Sequence, residues 1–512
     1  MTDESRDPVT AFFSDLASRV MPGQVQVIET HISRVFLIGD RAYKLKRPVR
    51  LPYTDGSTAE LRLATCRKEF DLNARTAPGL YLGVRRITRA PDGTLTFDGG
   101  GPLVDAVVEM VRFDQEALFD RMAERGALTE SLMAALAEII ARFHAEAPVV
   151  HSGAGGANIA GVLDINRAGF ATSDAFAEAE VARLDGAFRR RLDELRATLD
   201  SREAAGKVRR CHGDLHLRNI CLFAGRPTLF DCIEFNDQIA TVDVLYDLAF
   251  LLMDLWHRGL HRLANLVANR YFDTSASDDG FELLTFFMAL RAAVRAHVTA
   301  TFAMGAGVDA DRQRAIARDY FDLSIALLDH WPARVLAIGG LSGSGKTTIA
   351  EALAPHVGAP PGARLVESDL TRKAHFAVPS DACLPPEAYR PEVSDRVYSQ
   401  LATRARTIAA AGASVVVAAV FDRPDRRAEL GRALADHAFS GVWLSAEPET
   451  LRARVRTRPR GASDATLDVL EAQLCTDPGP IRWPRVCSEG SVTETAAAVL
   501  AAAESTSDGA AS

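Results

Sequence analysis

The sequence has 512 residues, 47% of them hydrophobic, which is enough for two or three separate cores because single domains usually span about 100–200 residues. Its 59 Lys and Arg residues against 67 Asp and Glu leave a formal net charge of −8, which argues against nucleic acid as a partner. The chain starts without a basic stretch followed by an apolar one, and its apolar runs are too short or too interrupted to span a bilayer. Seven cysteines without a Cys-x-x-Cys pair are typical of reduced thiols, so we predict a cytoplasmic protein.

The first 330 residues divide into a β-rich part and an α-rich part. Strand-like segments separated by turn residues predict a small antiparallel sheet, with strands over 35–38, 42–46, 81–87 and 94–97. Beyond residue 112 the apolar residues recur at helical spacing, first behind a Thr129 cap. We therefore expect an α+β bilobal fold, with an N-terminal lobe over 1–112 and a helical lobe over 113–330.

A different pattern begins after Trp331-Pro332-Ala333. Apolar strands alternate with helices, with strands predicted over 335–338, 364–368, 414–421 and 442–445. Such alternation predicts an α/β domain with a parallel sheet, which we place at 334–503. The small polar residues of 504–512 predict a disordered tail.

Residues 340–347 read GLSGSGKT and fit the phosphate-loop pattern G-x-x-x-x-G-K-[ST] between a strand and a helix. Glycines let backbone N–H groups face the phosphates of ATP, Lys346 reaches the β- and γ-phosphates, and the Thr347 hydroxyl binds Mg²⁺. The predicted nucleotide-binding residues here are Gly340, Ser342, Gly343, Ser344, Gly345, Lys346, Thr347 and Thr348.

Asp369 follows the second strand of this domain, at the sheet edge where open α/β sheets bind ligands. It is a candidate base for the acceptor hydroxyl, with Arg372 one turn on as a substrate contact; the alternative is that Asp369 caps a helix.

Five arginines end or follow the helix near 447–455: Arg452, Arg454, Arg456, Arg458 and Arg460. Most suit a solvated helix face, and we favour Arg456 and Arg460 as catalytic.

Residues 334–503 resemble the P-loop small-molecule kinases, including gluconate-kinase-like and zeta-toxin-like proteins, in which arginines form a lid. The resemblance implies an acidic residue at the end of the third core strand, where this chain has Ala418. Either Mg²⁺ relies on Thr347, Asp369 and phosphate oxygens, or Asp422 reaches in from the end of the strand. The departure leaves turnover by this domain open.

A second constellation lies upstream, where 212–219 read HGDLHLRN and Asp231 follows twelve residues after Asn219. Asp214 suits the base that accepts a hydroxyl proton, and Asn219 and Asp231 suit Mg²⁺ ligands. The arrangement resembles the catalytic and metal loops of aminoglycoside phosphotransferases and choline kinases, over roughly residues 30–330. We expect His212 to brace the loop, and Asp247 to tie a nearby helix to it.

The same resemblance implies a lysine strand and its glutamate partner. Lys44 and Lys46 share one face of a predicted strand, and we favour Lys44 for the α- and β-phosphates, with Glu69 as its partner. Met110 lies in a segment that resembles an adenine-binding hinge. The expected glycine-rich cover is reduced to Gly39, which predicts weak nucleotide binding or a different cover.

These residues predict a two-headed phosphotransferase that uses ATP and Mg²⁺ and acts on a small hydroxylated metabolite, such as a sugar or amino sugar. The expected partner is this small-molecule acceptor, without nucleic acid or membrane. The alternative is a regulatory protein that binds nucleotide with little turnover. Protein phosphorylation is weaker, because no activation segment ending in Ala-Pro-Glu is present.

Overall fold

The computed structural model describes residues 7–20, 26–30, 32–51, 54–151, 153–304, 309–379, 382–457 and 465–508. It divides into two compact units. The first comprises Met1–Asn158 and Leu199–Leu251, and the second comprises Ile159–Thr198 and Leu252–Ser512. The domain limits given above stay predictions.

The first unit contains a six-stranded antiparallel sheet with strand order β1-β2-β3-β8-β6-β7. The strands up to residue 111 are β1 Gln26–Glu29, β2 Ser33–Ile38, β3 Arg41–Lys46, β4 Arg50–Leu51, β5 Thr54–Asp55, β6 Tyr81–Arg89, β7 Leu95–Phe97 and β8 Leu103–Val111. The helices up to residue 146 are α1 Pro8–Val20, α2 Ala59–Thr76, α3 Phe119–Glu124 and α4 Glu130–Glu146. The four strands predicted from alternation are confirmed, whereas β1 and α1 were not predicted.

Both faces of this sheet are buried. On one face α2 contributes Cys66 to a cluster with Leu37 and Val108, and on the other α1 contributes Phe13 to a cluster with Phe36. Helix α2 begins at a Thr58 cap whose hydroxyl accepts the Leu61 N–H. The burial fixes α2 against the strand that carries the two predicted lysines.

The loop around Asp214 lies in the rest of the first unit, and further helices follow it in the chain. The strands here are β9 Val208–Arg210, β10 Ile220–Phe223, β11 Arg226–Leu229 and β12 Thr241–Asp243. The helices are α5 Gly155–Phe170, α6 Glu178–Ala204, α7 Asp237–Ala240, α8 Val244–His257, α9 His261–Thr274, α10 Leu284–Ala303 and α11 Ala310–Leu327. The predicted Thr129 cap of α4 is confirmed, since its hydroxyl accepts the Leu132 N–H at 3.3 Å.

The second unit contains a five-stranded parallel sheet with strand order β14-β15-β13-β16-β17, so the predicted parallel sheet is confirmed. Its strands are β13 Arg334–Gly340, β14 Arg364–Glu367, β15 Val415–Ala418, β16 Ala438–Ser445 and β17 Arg485–Cys487. Its helices are α12 Lys346–Leu353, α13 Ser368–His375, α14 Pro391–Ala410, α15 Pro424–Ala433, α16 Pro448–Thr457, α17 Leu467–Cys475 and α18 Val492–Asp508. Short 3₁₀ turns lie at Gln115–Ala117, Leu217–Asn219, Phe281–Leu283, Ala354–His356 and Pro386–Tyr389.

Within the second unit, α9 packs on the edge strand β14. The Asn269 side chain accepts the Leu365 N–H at 2.7 Å and donates to the Ala363 carbonyl at 3.1 Å, so it pairs with the strand edge as a neighbouring strand would. Arg364, 1% exposed, forms ion pairs with Asp273 and Asp278 at 2.6 and 2.9 Å. Helix α9, which precedes the predicted domain boundary, therefore shares buried polar contacts with the sheet that follows this boundary.

One helix among the described residues, Phe281–Ala303, is long and apolar enough to cross a membrane. Because 78% of its most apolar window is buried inside the structure, it has the character of a core helix. The seven cysteines, all within the described residues, form no disulfide.

Candidate active sites

The structure brings Asp214 and Asn219 together in the loop between β9 and β10. The Asn219 side-chain amide donates to the Asp214 carboxylate at 2.8 Å and to the Asp214 carbonyl at 2.9 Å. The Asp214 side chain is 38% exposed, so a hydroxyl can reach it. A carboxylate held by an amide and open to an acceptor is suited to accept a proton.

Asp247, at the start of α8, binds the backbone of this loop through its carboxylate. Its fully buried carboxylate accepts the backbone N–H groups of Gly213 and His212 at 2.8 and 3.2 Å, and His144 Nε2 lies 3.1 Å away. His212 Nε2 lies 2.9 Å from the Phe230 carbonyl. The expected roles of Asp247 as a tie and of His212 as a brace agree with these contacts.

Asp231 lies beside Asn219 because the hairpin β10–β11 brings its two ends together. Phe230 donates its N–H to the Asn219 carbonyl at 3.0 Å, and Asp231 follows directly. Asp231 has a positive φ of 64°, which is strained for a residue other than glycine, and its N–H donates to the Tyr81 hydroxyl at 3.1 Å. The two predicted metal ligands thus occupy one end of one hairpin.

Both candidate lysines bind Glu69, which is fully buried on α2. Lys44 Nζ lies 2.7 Å from one carboxylate oxygen of Glu69 and Lys46 Nζ lies 2.5 Å from the other. Lys44 also contacts Asp231, whereas Lys46 contacts Glu234 at 2.6 Å. Because Lys44 alone of the two reaches a predicted metal ligand, the geometry favours it as the phosphate lysine.

The charges of this cluster control one another. Burial raises the pKa of Glu69, but the ammonium groups of Lys44 and Lys46 outweigh it and lower that pKa to about 2. Burial lowers the pKa of Lys44, yet Asp231 and Glu69 raise it well above its usual range. The cluster therefore keeps Lys44 cationic, as a phosphate ligand must be. The Lys46–Glu234 pair was missed by the sequence reasoning, although Lys46 shares the face of Lys44.

Met110 lies near the end of β8 and is 7% exposed, with Ala42 of β3 and Tyr81 of β6 as its strand partners. It lies on a central strand of the sheet, next to β3, which follows the turn that contains Gly39. Its part in binding adenine stays a prediction.

The phosphate loop connects β13 to α12 as its motif predicts. Gly343 and Gly345 have φ of 83° and 87°, and a Cβ on Gly343 would lie 2.7 Å from the Leu451 carbonyl. Lys346 Nζ donates to the Leu341 carbonyl at 2.9 Å, and Ser342 donates its N–H to Gln473 of α17 at 2.9 Å. Thr347 and Thr348 lie exposed in the first turn of α12, and Ser344 is buried. The predicted loop residues therefore surround one helix N-terminus.

A buried carboxyl group, that of Glu367, lies next to Ala418. Glu367 ends β14, stands in register with Ala418 of β15, and lies close to the Thr347 hydroxyl. Burial, reinforced by Glu351, Asp273 and other nearby carboxylates, raises its pKa to about 8. Glu367 was not predicted from the sequence. Its position at the end of a predicted strand, two residues before Asp369, could have identified it as a candidate site residue.

The remaining predicted residues of the P-loop domain are two aspartates and three arginines. Asp369 lies half-buried in the first turn of α13, whose N-cap is Glu367 without a side-chain capping bond, so the capping alternative finds no support. Asp422 is ion-paired with Arg426 at 3.2 Å. Arg456 is exposed at the end of α16. Arg458 and Arg460 lie outside the described residues.

Two of the five arginines near the end of α16, Arg452 and Arg454, bind other groups of the protein. Arg452 binds Glu471 and Glu449 at 2.6 and 2.7 Å, and Arg454 donates to the Ser488 carbonyl at 2.7 Å. These contacts agree with the expectation that most of the group forms a helix surface. The catalytic role of Arg456 stays a prediction.

Comparison with known proteins matches both regions. A sequence model of the phosphotransferase enzyme family matches residues 85–281, and a model described as an AAA domain matches residues 335–476. A gluconokinase from Sinorhizobium meliloti shares 22% identity, covering 35% of this chain and 97% of its own, with a TM-score of 0.25. Choline kinase from Cryptosporidium parvum shares 10% identity, covering 62% and 95%, with a TM-score of 0.39.

The fold and the family matches define the class: a kinase-like phosphotransferase domain is followed by a P-loop kinase domain in an ATP-dependent kinase. The uncharacterized protein Rv2004c of Mycobacterium tuberculosis and the uncharacterized protein Mb2027c of Mycobacterium bovis are each 30% identical to this chain over 466 residues, covering 88% of this chain and 89% of the relative. The chain belongs to the same family as these two proteins.

Proposed function

We propose that each of the two domains transfers the γ-phosphoryl group of ATP to the hydroxyl of a small molecule, and that the first acts on a hydroxylated metabolite such as a sugar or amino sugar. The contact between Asp214 and Asn219, next to the Lys44–Glu69–Asp231 cluster, carries the proposal for the first head. The two groups of residues lie in one unit, which supports their proposed roles as proton acceptor, oxygen ligands and phosphate-binding cation.

In the first head Asp214 takes the proton of the acceptor hydroxyl as the oxygen forms its bond to the γ-phosphorus. The bond from that phosphorus to the β-phosphate oxygen breaks, and ADP leaves with the electron pair. Lys44 holds the α- and β-phosphates, and Glu69 keeps Lys44 in position at 2.7 Å. Met110 is the proposed adenine contact.

The donor sets of both heads fit Mg²⁺, which prefers carboxylate, amide and hydroxyl oxygens. In the first head Asp231 and Asn219 would hold it; in the second, Thr347 and Glu367 would. One oxygen of the buried Glu367 carboxyl group has no hydrogen-bond partner among the described residues, as expected of a group that awaits a cation. When bound, Mg²⁺ neutralises charge on the phosphates.

In the second head Lys346 binds the β- and γ-phosphates, and Asp369 is the base for the acceptor hydroxyl. Arg456 and Arg460 are proposed to stabilise charge on the transferred group. The presence of Glu367 supports turnover by this head despite Ala418. The small-molecule acceptor remains the proposed partner of both heads.

The test is an ATP-dependent phosphorylation screen of the full chain against sugars, amino sugars, aminoglycosides and amino alcohols. Asp214→Ala should abolish phosphorylation of one set of acceptors and Lys346→Ala that of another, while Asp311→Ala, at a carboxylate 99% exposed, should change neither. A chain that binds Mg·ATP but phosphorylates no acceptor in the screen favours the regulatory alternative.

A further inference from the structure

Arg372 is a buried cation that forms no ion pair with an acidic side chain of the described residues. The residue is 6% exposed, and its Nη1 donates to the Ala388 carbonyl at 2.5 Å and to the Ser394 hydroxyl at 3.3 Å. The guanidinium lies 5.0 Å from the ring centroid of Tyr389. No carboxylate of the described residues forms an ion pair with it, and its Nε has no hydrogen-bond partner among them.

Burial of an arginine that has no counter-ion lowers the stability of the fold. A buried charge is normally paired, because loss of hydration outweighs hydrogen bonds to neutral groups alone. The neighbouring buried arginine, Arg364, follows that rule with Asp273 and Asp278 as counter-ions. Arg372 therefore has the properties expected of a residue whose counter-ion is an external ligand.

Arg372 lies close to the proposed base along the same helix. It lies three residues after Asp369 on α13, and side chains at this spacing lie on one helix face with Cβ atoms about 5–6 Å apart. An acceptor whose hydroxyl faces Asp369 thus presents its neighbouring groups to Arg372.

A second guanidinium lies in the same surroundings. Arg426 lies 4.1 Å from the ring centroid of Tyr398 and pairs with Asp422 and Asp395, while its Nε has no partner among the described residues. Burial, reinforced by the carboxylate of Asp422, raises the pKa of Tyr398 to about 12, so Tyr398 stays neutral beside Arg426. Arg372 and Arg426 also contact the same stretch of α14, through Ser394 and Asp395.

We propose that the acceptor of the P-loop head carries an oxyanion, a carboxylate or a phosphate, which binds Arg372 while its hydroxyl faces Asp369. This inference rests on the proposed function of that head and narrows its substrate class. The hydroxyl proton passes to Asp369, the hydroxyl oxygen bonds to the γ-phosphorus of ATP, and ADP leaves. The anion is not consumed and serves recognition only. Planar guanidinium groups suit both oxyanions.

The experiment uses the full chain carrying Asp214→Ala, so that the first head is silent, with the phosphate loop saturated by Mg·AMPPNP. Inorganic phosphate and acetate are titrated separately against chloride at equal ionic strength, and the unfolding midpoint is followed. We expect one of the two anions to raise the midpoint above the chloride control, and the one that does so assigns phosphate or carboxylate.

The anion effect should disappear in Arg372→Gln, weaken in Arg372→Lys and persist in Arg396→Gln, at an exposed arginine of the neighbouring helix α14. If Arg372→Gln does not fold, the Arg372→Lys series decides. In turnover, Arg372→Gln should raise KM for an acidic acceptor at least ten-fold and leave KM for ATP unchanged.

An equal response of wild type and Arg372→Gln would overturn the inference, as would phosphorylation of a polyol as efficient as that of its acid or phosphate ester. In either case intact binding of Mg·AMPPNP at the site that Lys346→Ala removes would leave the proposed function standing. Loss of that binding in the wild type would instead remove the proposed function itself.

Discussion

Glu367, which ends β14, stands opposite Ala418 in the register of β14 and β15, and its buried carboxyl group lies close to the Thr347 hydroxyl of the phosphate loop. A carboxyl group therefore lies beside the proposed Mg²⁺ ligand Thr347 even though the strand end at 418 is an alanine. This arrangement is the basis for the proposal that Glu367 takes the place of the missing acidic residue.

Glu367→Gln should separate metal binding from stability. With its pKa raised to about 8, the side chain is largely protonated at pH 7 without metal, and a glutamine reproduces that form. The unfolding midpoint without Mg²⁺ should therefore stay within about 1 °C, whereas the Mg²⁺ concentration for half-maximal turnover by the P-loop head should rise ten-fold or more. An unchanged Mg²⁺ requirement would show that Glu367 is no metal ligand.

Ala418→Asp should not rescue or raise activity. The position is 4% exposed and faces Glu367 across the strand pair, so a second carboxylate is buried next to the first. We expect a loss of about 1–3 kcal/mol in the free energy of unfolding, measured by denaturant titration. Higher turnover in Ala418→Asp would mean that Glu367 does not replace the missing acid.

Glu69 should contribute a stability that depends on pH. Its folded-state pKa of about 2 lies below the unfolded value of 4.5, so its contribution is present above pH 4.5 and is lost as the pH falls toward 2. Glu69→Gln should lower the unfolding midpoint at pH 7 and flatten the decline between pH 4.5 and pH 2. Glu60→Gln, on the first turn of the same helix, is the control, and equal profiles of the two variants would contradict the cluster.

Asp247→Ala should damage the first head selectively. Two backbone N–H groups of the catalytic loop, from His212 and Gly213, lose their buried acceptor, at a cost of about 1–3 kcal/mol each. Phosphorylation by the first head should fall with the unfolding midpoint, while acceptors that depend on Lys346 are still phosphorylated. Retention of full first-head activity would show that the loop holds its shape without Asp247.

Asp278→Asn tests the ion pairs that join the segment after α9 to β14 and α14. Asp278 pairs with both Arg364 and Arg404, and its loss should lower the free energy of unfolding by about 1–3 kcal/mol. For the same reason a fragment that begins at residue 334 should be less stable than the same residues in the full chain. Asp311→Asn is the control, and equal unfolding curves of the two variants would contradict the role of this network.

Motifs whose chemistry depends on local spacing could be predicted from the sequence. The phosphate loop and the Asp214–Asn219 pair are short segments whose residue types already define the geometry. The parallel sheet followed from the alternation of strands and helices. Lys44 and Glu69 were paired through their resemblance to a known strand and helix, and the contact agrees with it.

Contacts set by long-range packing could not be predicted. Lys46 and Glu234 are 188 positions apart, and their pairing depends on how a hairpin docks on a sheet. The register that sets Glu367 beside Ala418 depends on strand order, which spacing does not encode. Arg364 looked like an ordinary strand residue, because its counter-ions come from a helix assigned to the other domain.

The number of Mg·AMPPNP molecules bound per full-length chain tests the two-headed account most directly, since it requires no knowledge of either acceptor. Isothermal titration should give two sites in the wild type, one in Asp231→Ala, one in Lys346→Ala and none in the double variant. A single site in the wild type, or a stoichiometry that neither substitution changes, would contradict the claim that this chain carries two phosphoryl-transfer heads.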